Sequence, residues 1–209
     1  MSAPSDPVSL AGWRRTVAGL YADVRTLAAT DPQRAAIAFR EARDRLFREH
    51  SESPIADAAR ANWPGAAWYP YDPAWRTVGV VKRLAQRATF EIPLAADGLT
   101  RCTRVGTVAF NLHGAHATLA LYWFEGYGGG LWLPFADASN GVSTYGGGRY
   151  LYDTIKGADI GASEAQFVLD FNLAYNPSCA YDQRWSCPLP PAENRLPFAV
   201  EAGERMLPV

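Results

Sequence analysis

An α+β fold is predicted, with N-terminal helices followed by a mainly antiparallel β-barrel or sandwich-like body. Three observations predict it. Apolar residues recur at helical spacing through the first fifty positions, prolines and aromatics break that period from Ser51 to Pro73, and short segments rich in Val, Thr, Phe, Tyr and Trp then follow at regular intervals. Trp13, Val17, Leu20, Val24 and Leu27 lie three and four apart, on one stripe of a helix opened near Pro7 to Ser9. Asp31 followed by Pro32 is a capping signal, so a second helix runs from there to about His50, with Ile37, Phe39, Leu46 and Phe47 as its apolar positions. Arg40, Arg43, Arg45 and Arg48 decorate the rest. They read as a solvated face partnered by Glu41, Asp44 and Glu49, in preference to an RNA-binding face.

The stretch ANWPGAAWYPYDPAW cannot sustain a helix and reads as an ordered connector, with Trp63, Trp68, Tyr69 and Tyr71 packed over the end of the β structure. Strands are predicted at 75–83, 87–94, 102–112, 116–124, 130–135, 166–175 and 197–202. Between them stand the turn sequences AADG, HGAH, GYGGG and SNG. The clearest hairpin is VGTVAFNLHGAHATLALYWFE, with His113-Gly114 at its tip. Residues 1–52 are therefore a helical segment and 53–209 a β-rich domain, expected to fold as one unit.

Composition narrows the functions. The 209 residues are 48% apolar and 20% charged, with 20 basic against 21 acidic side chains, a net charge of −1. Such a balance gives no general attraction to nucleic acid or to anionic membrane surfaces. No apolar run approaches the ~20 residues of a spanning helix. The N-terminal MSAPSDPVSL lacks the basic and apolar regions of a secretory leader, so a cytoplasmic location is expected. Three cysteines are too few for a disulfide scaffold and, being odd in number, leave at least one thiol.

Few residues carry an obvious chemistry. His50 ends a helix, while His113 and His116 flank a turn with no further Cys/His pair at ligand spacing, so no metal site is expected. No G-x-S-x-G stands for a serine nucleophile. The glycines of GYGGG and TYGGGRY match neither nucleotide-loop pattern, although their amides, with Arg149 directly after, suit a carboxylate or phosphate. The densest stretch is 167–194, where strand alternation sets Asp170 and Asn172 on one face, opposite Phe171, Leu173 and Tyr175. Polar groups facing a barrel interior need partners, and a polar cavity is one way to supply them. The following loop carries Asn176, Cys179, Tyr181, Arg184 and Cys187 before Pro188-Leu189-Pro190-Pro191, more than a connector requires. Its cysteines, eight positions apart, fit packed thiols, a loop-closing disulfide or a reactive thiolate. Glu193 suits acid/base work if desolvated, and a turn carboxylate otherwise.

The segments LPFADASNGVSTYGGGRYL (133–151), LDFNLAYNPSCAYDQRWSCPLPPAEN (169–194) and VEAGER (200–205) closely resemble the bacterial family called domain of unknown function 1684. SPIADAARANWPGAAWYPYDPAWR (53–76) resembles that family's connector. The resemblance runs from about residue 35 to the C-terminus and implies a bacterial cytoplasmic protein without a defined activity. It directs attention to a set of residues rich in polar groups.

The reading that follows is a small-molecule enzyme of hydrolase, lyase or isomerase type, needing neither metal nor redox cofactor. A flavin is not expected, for want of phosphate-directed basic residues. Asp170, Glu193 and Cys179 are the candidate catalytic groups, and Arg149, Tyr145, Asn172, Tyr175, Asn176 and Tyr181 the candidate contacts to an anionic substrate. The alternatives are a non-catalytic ligand-binding or sensing module, and a buried polar network with no cavity at all. A small-molecule ligand is the expected partner, with homodimerisation left open.

Overall fold

In the computed structural model, which describes residues 6–94 and 98–206, the two N-terminal helices are followed by a six-stranded antiparallel sheet curled into a half-barrel. Both helices begin as their cap signals require. Asp6 accepts from the amides of Val8 and Ser9 ahead of α1 (Pro7–Ala28), and Asp31 accepts from Arg34 N at 2.9 Å ahead of α2 (Pro32–Glu49). The short link leaves them antiparallel, with Tyr21 and Val24 of α1 and Ala36, Phe39 and Phe47 of α2 buried. Gly157 lets α1 approach the sheet closely, since its φ is +85° and a Cβ there would sit 2.9 Å from Ala18 N.

α2 corrects one expectation. Arg40 and Arg43 do not face solvent. They share the buried stripe of Ala36, Phe39 and Phe47 and point at the β-rich region, where Arg40 donates to Tyr69 O and Asn172 O. Asp44 also turns inward and caps the connector through Ala66 N at 2.9 Å. The connector aromatics pack on the helices and the last loops: Trp68 edge-on to Phe39 at 5.9 Å, Trp63 edge-on to Tyr181 at 5.9 Å.

The sheet comprises β1 (Arg76–Leu94), β2 (Gly98–Leu112), β3 (Ala115–Phe124), β4 (Gly130–Phe135), β5 (Arg149–Asp153) and β6 (Gln166–Asp170), in spatial order β5-β4-β3-β2-β1-β6. The strands read at 75–83 and 87–94 are one strand. A register shift between Arg83 and Ala88 joins them, because Leu84–Arg87 offers an irregularity but no residue that reverses the chain. His113 (φ +48°) and Gly114 (φ +77°) form the tip between β2 and β3, both with the positive φ that a tight hairpin favours, and His113 packs on Trp75 at 4.2 Å. Of the turn read at AADG, residues 95–97 lie outside the described residues, as do residues 1–5 of the N-terminal segment. Strand β5 was not read from the sequence, being hidden behind the glycines of 146–148.

Two predicted strands are corrected. β6 stops at Asp170, whose side chain caps Asn172 N and turns residues 171–173 into a 3-10 helix, so strand alternation fails there and Phe171, Asn172 and Leu173 are all buried. Residues 197–202 form no strand, and Arg149 takes the carbonyls of Val200 and Ala202 in place of a ladder partner. The sheet curls until its edges meet: Tyr152 of β5 donates to Val168 O of β6 at 2.7 Å, and Tyr150 exchanges backbone bonds with Tyr175. Inside, Trp132 is ringed by Tyr122, Phe124 and Tyr150. Among the described residues, no helix is long and apolar enough to cross a membrane.

Candidate functional site

The nine candidate residues fall into five places. Arg149, at the start of β5, is fully buried. Its Nη2 donates to Asp137 Oδ2 and Val200 O, both at 2.9 Å, and its Nη1 to Ala202 O and Glu204 O. Burial pulls the guanidinium below its usual pKa, and the Asp137 carboxylate opposes the shift. Asp137 in turn accepts from Ser139 N and Val200 N, while Asn140 ties Asp137 N to Thr144 and Tyr145 O. Loop 136–149 is thus knitted to the C-terminal segment.

Asp170 and Asn172 do sit together, on one hydrogen-bond network. Asn172 clamps the backbone of Asp72, accepting from its N at 3.0 Å and donating to its O at 2.9 Å, and also donates to Asp170 Oδ1 at 3.0 Å. Arg76 pairs with the other carboxylate oxygen of Asp170 at 3.4 Å. Burial raises the Asp170 carboxyl above its ordinary range, against the hydrogen bonds from Asn172 and the charges of Arg76 and Arg40. Glu193 stands apart from this network, accepting from Tyr122 OH at 2.6 Å and pairing with Arg104 at 2.9 Å. The adjacent Asn194, fully buried, fastens its loop to the sheet through Ala120 N, Ala120 O and Pro134 O.

Tyr175, Asn176 and Tyr181 converge. With Tyr21 of α1, Arg43 and Phe47 of α2, and Tyr150, Asp153 and Lys156, they line a cavity of about 60 Å³. Sequence reasoning missed Arg43, which bonds Asn176 O, Tyr181 OH and Glu204 Oε2, each at 3.3 Å. Its signal was present, because Arg43 continues the spacing of Ala36, Phe39 and Phe47. It also missed Glu204, a fully buried carboxylate that accepts from Tyr181 OH and from Asn176 N at 2.8 Å. Asn176 Oδ1 is buried without a hydrogen-bond partner. A wider groove of about 610 Å³ runs between α1 and α2, lined chiefly by Leu20, Val24, Leu27, Ala38, Ala42 and Leu46, and includes none of the nine residues.

Tyr145 and Cys179 converge as well. Cys179 sits half-buried on a 3-10 turn (Ser178–Ala180), between Ser178 and Tyr181 of the cavity lining. Tyr145 OH donates to its Sγ at 3.5 Å, and its backbone N donates to Cys187 Sγ at 3.3 Å. Both thiols are free. The bond from Cys187, then those from Tyr145 and backbone amides, pull the Cys179 thiol down to about 6 against the effect of burial. Cys187 moves the opposite way, raised by the same bond and by burial. Tyr145 and Cys187 thus both favour the ionised form of Cys179.

A helical hairpin docked on a curled antiparallel sheet, its loops locked by buried polar side chains and its last long loop carrying a dithiol, defines an α+β half-barrel protein. Comparison with known proteins places it more closely. The chain belongs to the family described as "Protein of unknown function (DUF1684)", whose model matches residues 61–205. No curated protein matches it. Among solved structures it is similar to the uncharacterized protein from gene locus rrnAC0354 of Haloarcula marismortui, determined by solution NMR, with a TM-score of 0.59 and 34% identity over 81% of this chain and 91% of that chain. That relative is archaeal, whereas the resemblance read from the sequence implied a bacterial source.

Proposed function

We propose that the protein is a cytoplasmic small-molecule enzyme of hydrolase type, with Cys179 as its nucleophile and Tyr145 and Cys187 as its proton partners. The observation that carries this reading is the hydrogen bond from the Tyr145 hydroxyl to Cys179 Sγ at 3.5 Å, with Cys187 Sγ on the backbone amide of Cys179 at 3.3 Å, on a partly exposed turn beside the cavity. The thiolate adds to an electrophilic acyl carbon, and the leaving group departs with a proton from Tyr145 or Cys187. Water then hydrolyses the thioester and returns the thiol. Tyr175, Asn176 and Tyr181 hold the substrate, and Lys156, whose side chain is 49% exposed, supplies a cation for an anionic group. Arg149, Asp170, Asn172 and Glu193 brace the surrounding loops in this reading.

Two measurements on the full chain test it. Alkylation of Cys179 by iodoacetamide is expected to reach half its maximal rate near pH 6. Hydrolysis of a panel of small anionic esters and thioesters is expected in the wild type and lost in Cys179→Ser. Turnover that survives in Cys179→Ser overturns the nucleophile, and a wild type that hydrolyses nothing leaves the non-catalytic binding module.

A further inference from the structure

Hydrolysis by a thiolate needs one cysteine, and this loop holds two. Cys187 Sγ lies 3.3 Å from the backbone nitrogen of Cys179 and accepts its hydrogen bond, which holds that sulfur against the turn carrying the other. The loop between them is pinned at its ends. Asn176 N is held by Glu204 at one end, and Pro188 O accepts from Tyr150 OH at the other, where the Pro188–Pro191 run begins. Between the ends, Asp182 caps Arg184 N at 2.9 Å, and Arg184 reaches Ser53 O at 3.0 Å. The backbone on both sides of the pair is therefore held in place, with Cys187 Sγ against the turn that carries Cys179.

The geometry points to a peroxide-oxidised disulfide site in which Cys179 is the attacked sulfur and Cys187 the resolving one. In the first step the Cys179 thiolate attacks a hydroperoxide ROOH. Its sulfur is oxidised to sulfenic acid, the O–O bond breaks and RO⁻ leaves, taking a proton as ROH. In the second, the Cys187 thiol displaces the sulfenic hydroxyl, the S–S bond forms and one water is released. A small thiol reductant reverses the bond. Cys102, fully buried in β2, takes no part and serves as an internal control. The inference goes beyond the enzymatic reading and stands whether or not an ester is hydrolysed. Where the enzyme is active, oxidation removes its nucleophile reversibly.

The test uses the reduced full-length chain and a few equivalents of hydrogen peroxide. The intact mass is expected to fall by about 2 Da, and titratable thiols in denaturant to fall from three to one, both restored by dithiothreitol. Peptide mapping should link Cys179 to Cys187. In Cys187→Ser, dimedone should trap a sulfenic acid on Cys179 with no loss of mass beforehand. Three free thiols after peroxide treatment, or a sulfinic Cys179 beside a free Cys187, overturn the proposal. The wild-type map decides the matter even if the variant fails to fold. A positive map with no hydrolysis separates this inference from the proposed enzyme.

Discussion

Around Arg149, the terminal guanidinium nitrogens meet one carboxylate and three main-chain carbonyls in a buried interior, while the buried Nε has no hydrogen-bond partner. Around Cys179, a phenol reaches the sulfur and the Cys187 thiol accepts from the backbone amide, at a partly exposed turn. Both places are polar and both belong to the segments that resemble the family. What separates them is access: a buried guanidinium bonded to protein atoms braces a fold, whereas a thiol on a partly exposed turn is within reach of solvent. A polar sequence motif therefore carries buried anchors and accessible groups side by side.

Arg149 carries the largest expected effect. Arg149→Ala strands Asp137 as a buried, unpaired carboxylate and frees the carbonyls of Val200, Ala202 and Glu204. A loss of about 3–5 kcal/mol is expected from urea unfolding, up to failure to fold, whereas Cys179→Ser should move the midpoint by less than about 1 kcal/mol. A stable Arg149→Ala protein would remove the distinction. Asn194→Ala comes next. It unpairs Ala120 N, Ala120 O and Pro134 O and should cost about 2–3 kcal/mol in the same experiment, with Glu193→Gln, which touches a half-exposed pair, costing less.

The fold class was legible because local signals agree with it: Asp-Pro caps start both helices, and His113-Gly114 takes the backbone that its hairpin needs. The errors occur where a side chain overrides local pattern. Asp170 ends β6 early by capping Asn172, and Arg149 holds residues 200–204 from some fifty positions away, so neither stretch behaves as its apolar alternation suggests. The candidate site was legible in part. Tyr175, Asn176 and Tyr181 do share a cavity, and Tyr145 meets Cys179. Spacing along one chain could not say that Arg43, from a helix more than 130 positions upstream of Asn176, completes that cavity, nor that Arg149 looks inward.

Glu204 joins the two regions, and its expected effect is smaller than that of Arg149. Its carbonyl accepts from Arg149 at 3.2 Å, while its carboxylate accepts from Arg43, Tyr181 and Asn176 N at the cavity. Burial pushes the carboxyl from 4.5 up to about 6, against the charge of Arg43 and the amide of Asn176. With its folded pKa above the unfolded one, the folded chain holds the extra proton between those values. This contribution to stability is complete below about pH 4.5 and is lost as pH rises through about 6, by about 2 kcal/mol in all. In Glu204→Gln that slope should vanish, so urea unfolding of both proteins from pH 4.5 to 7 should show the wild type losing about 2 kcal/mol relative to the variant as pH rises. Parallel curves would mean that Glu204 stays ionised across the range, its charge compensated by Arg43, Tyr181 and the Asn176 amide.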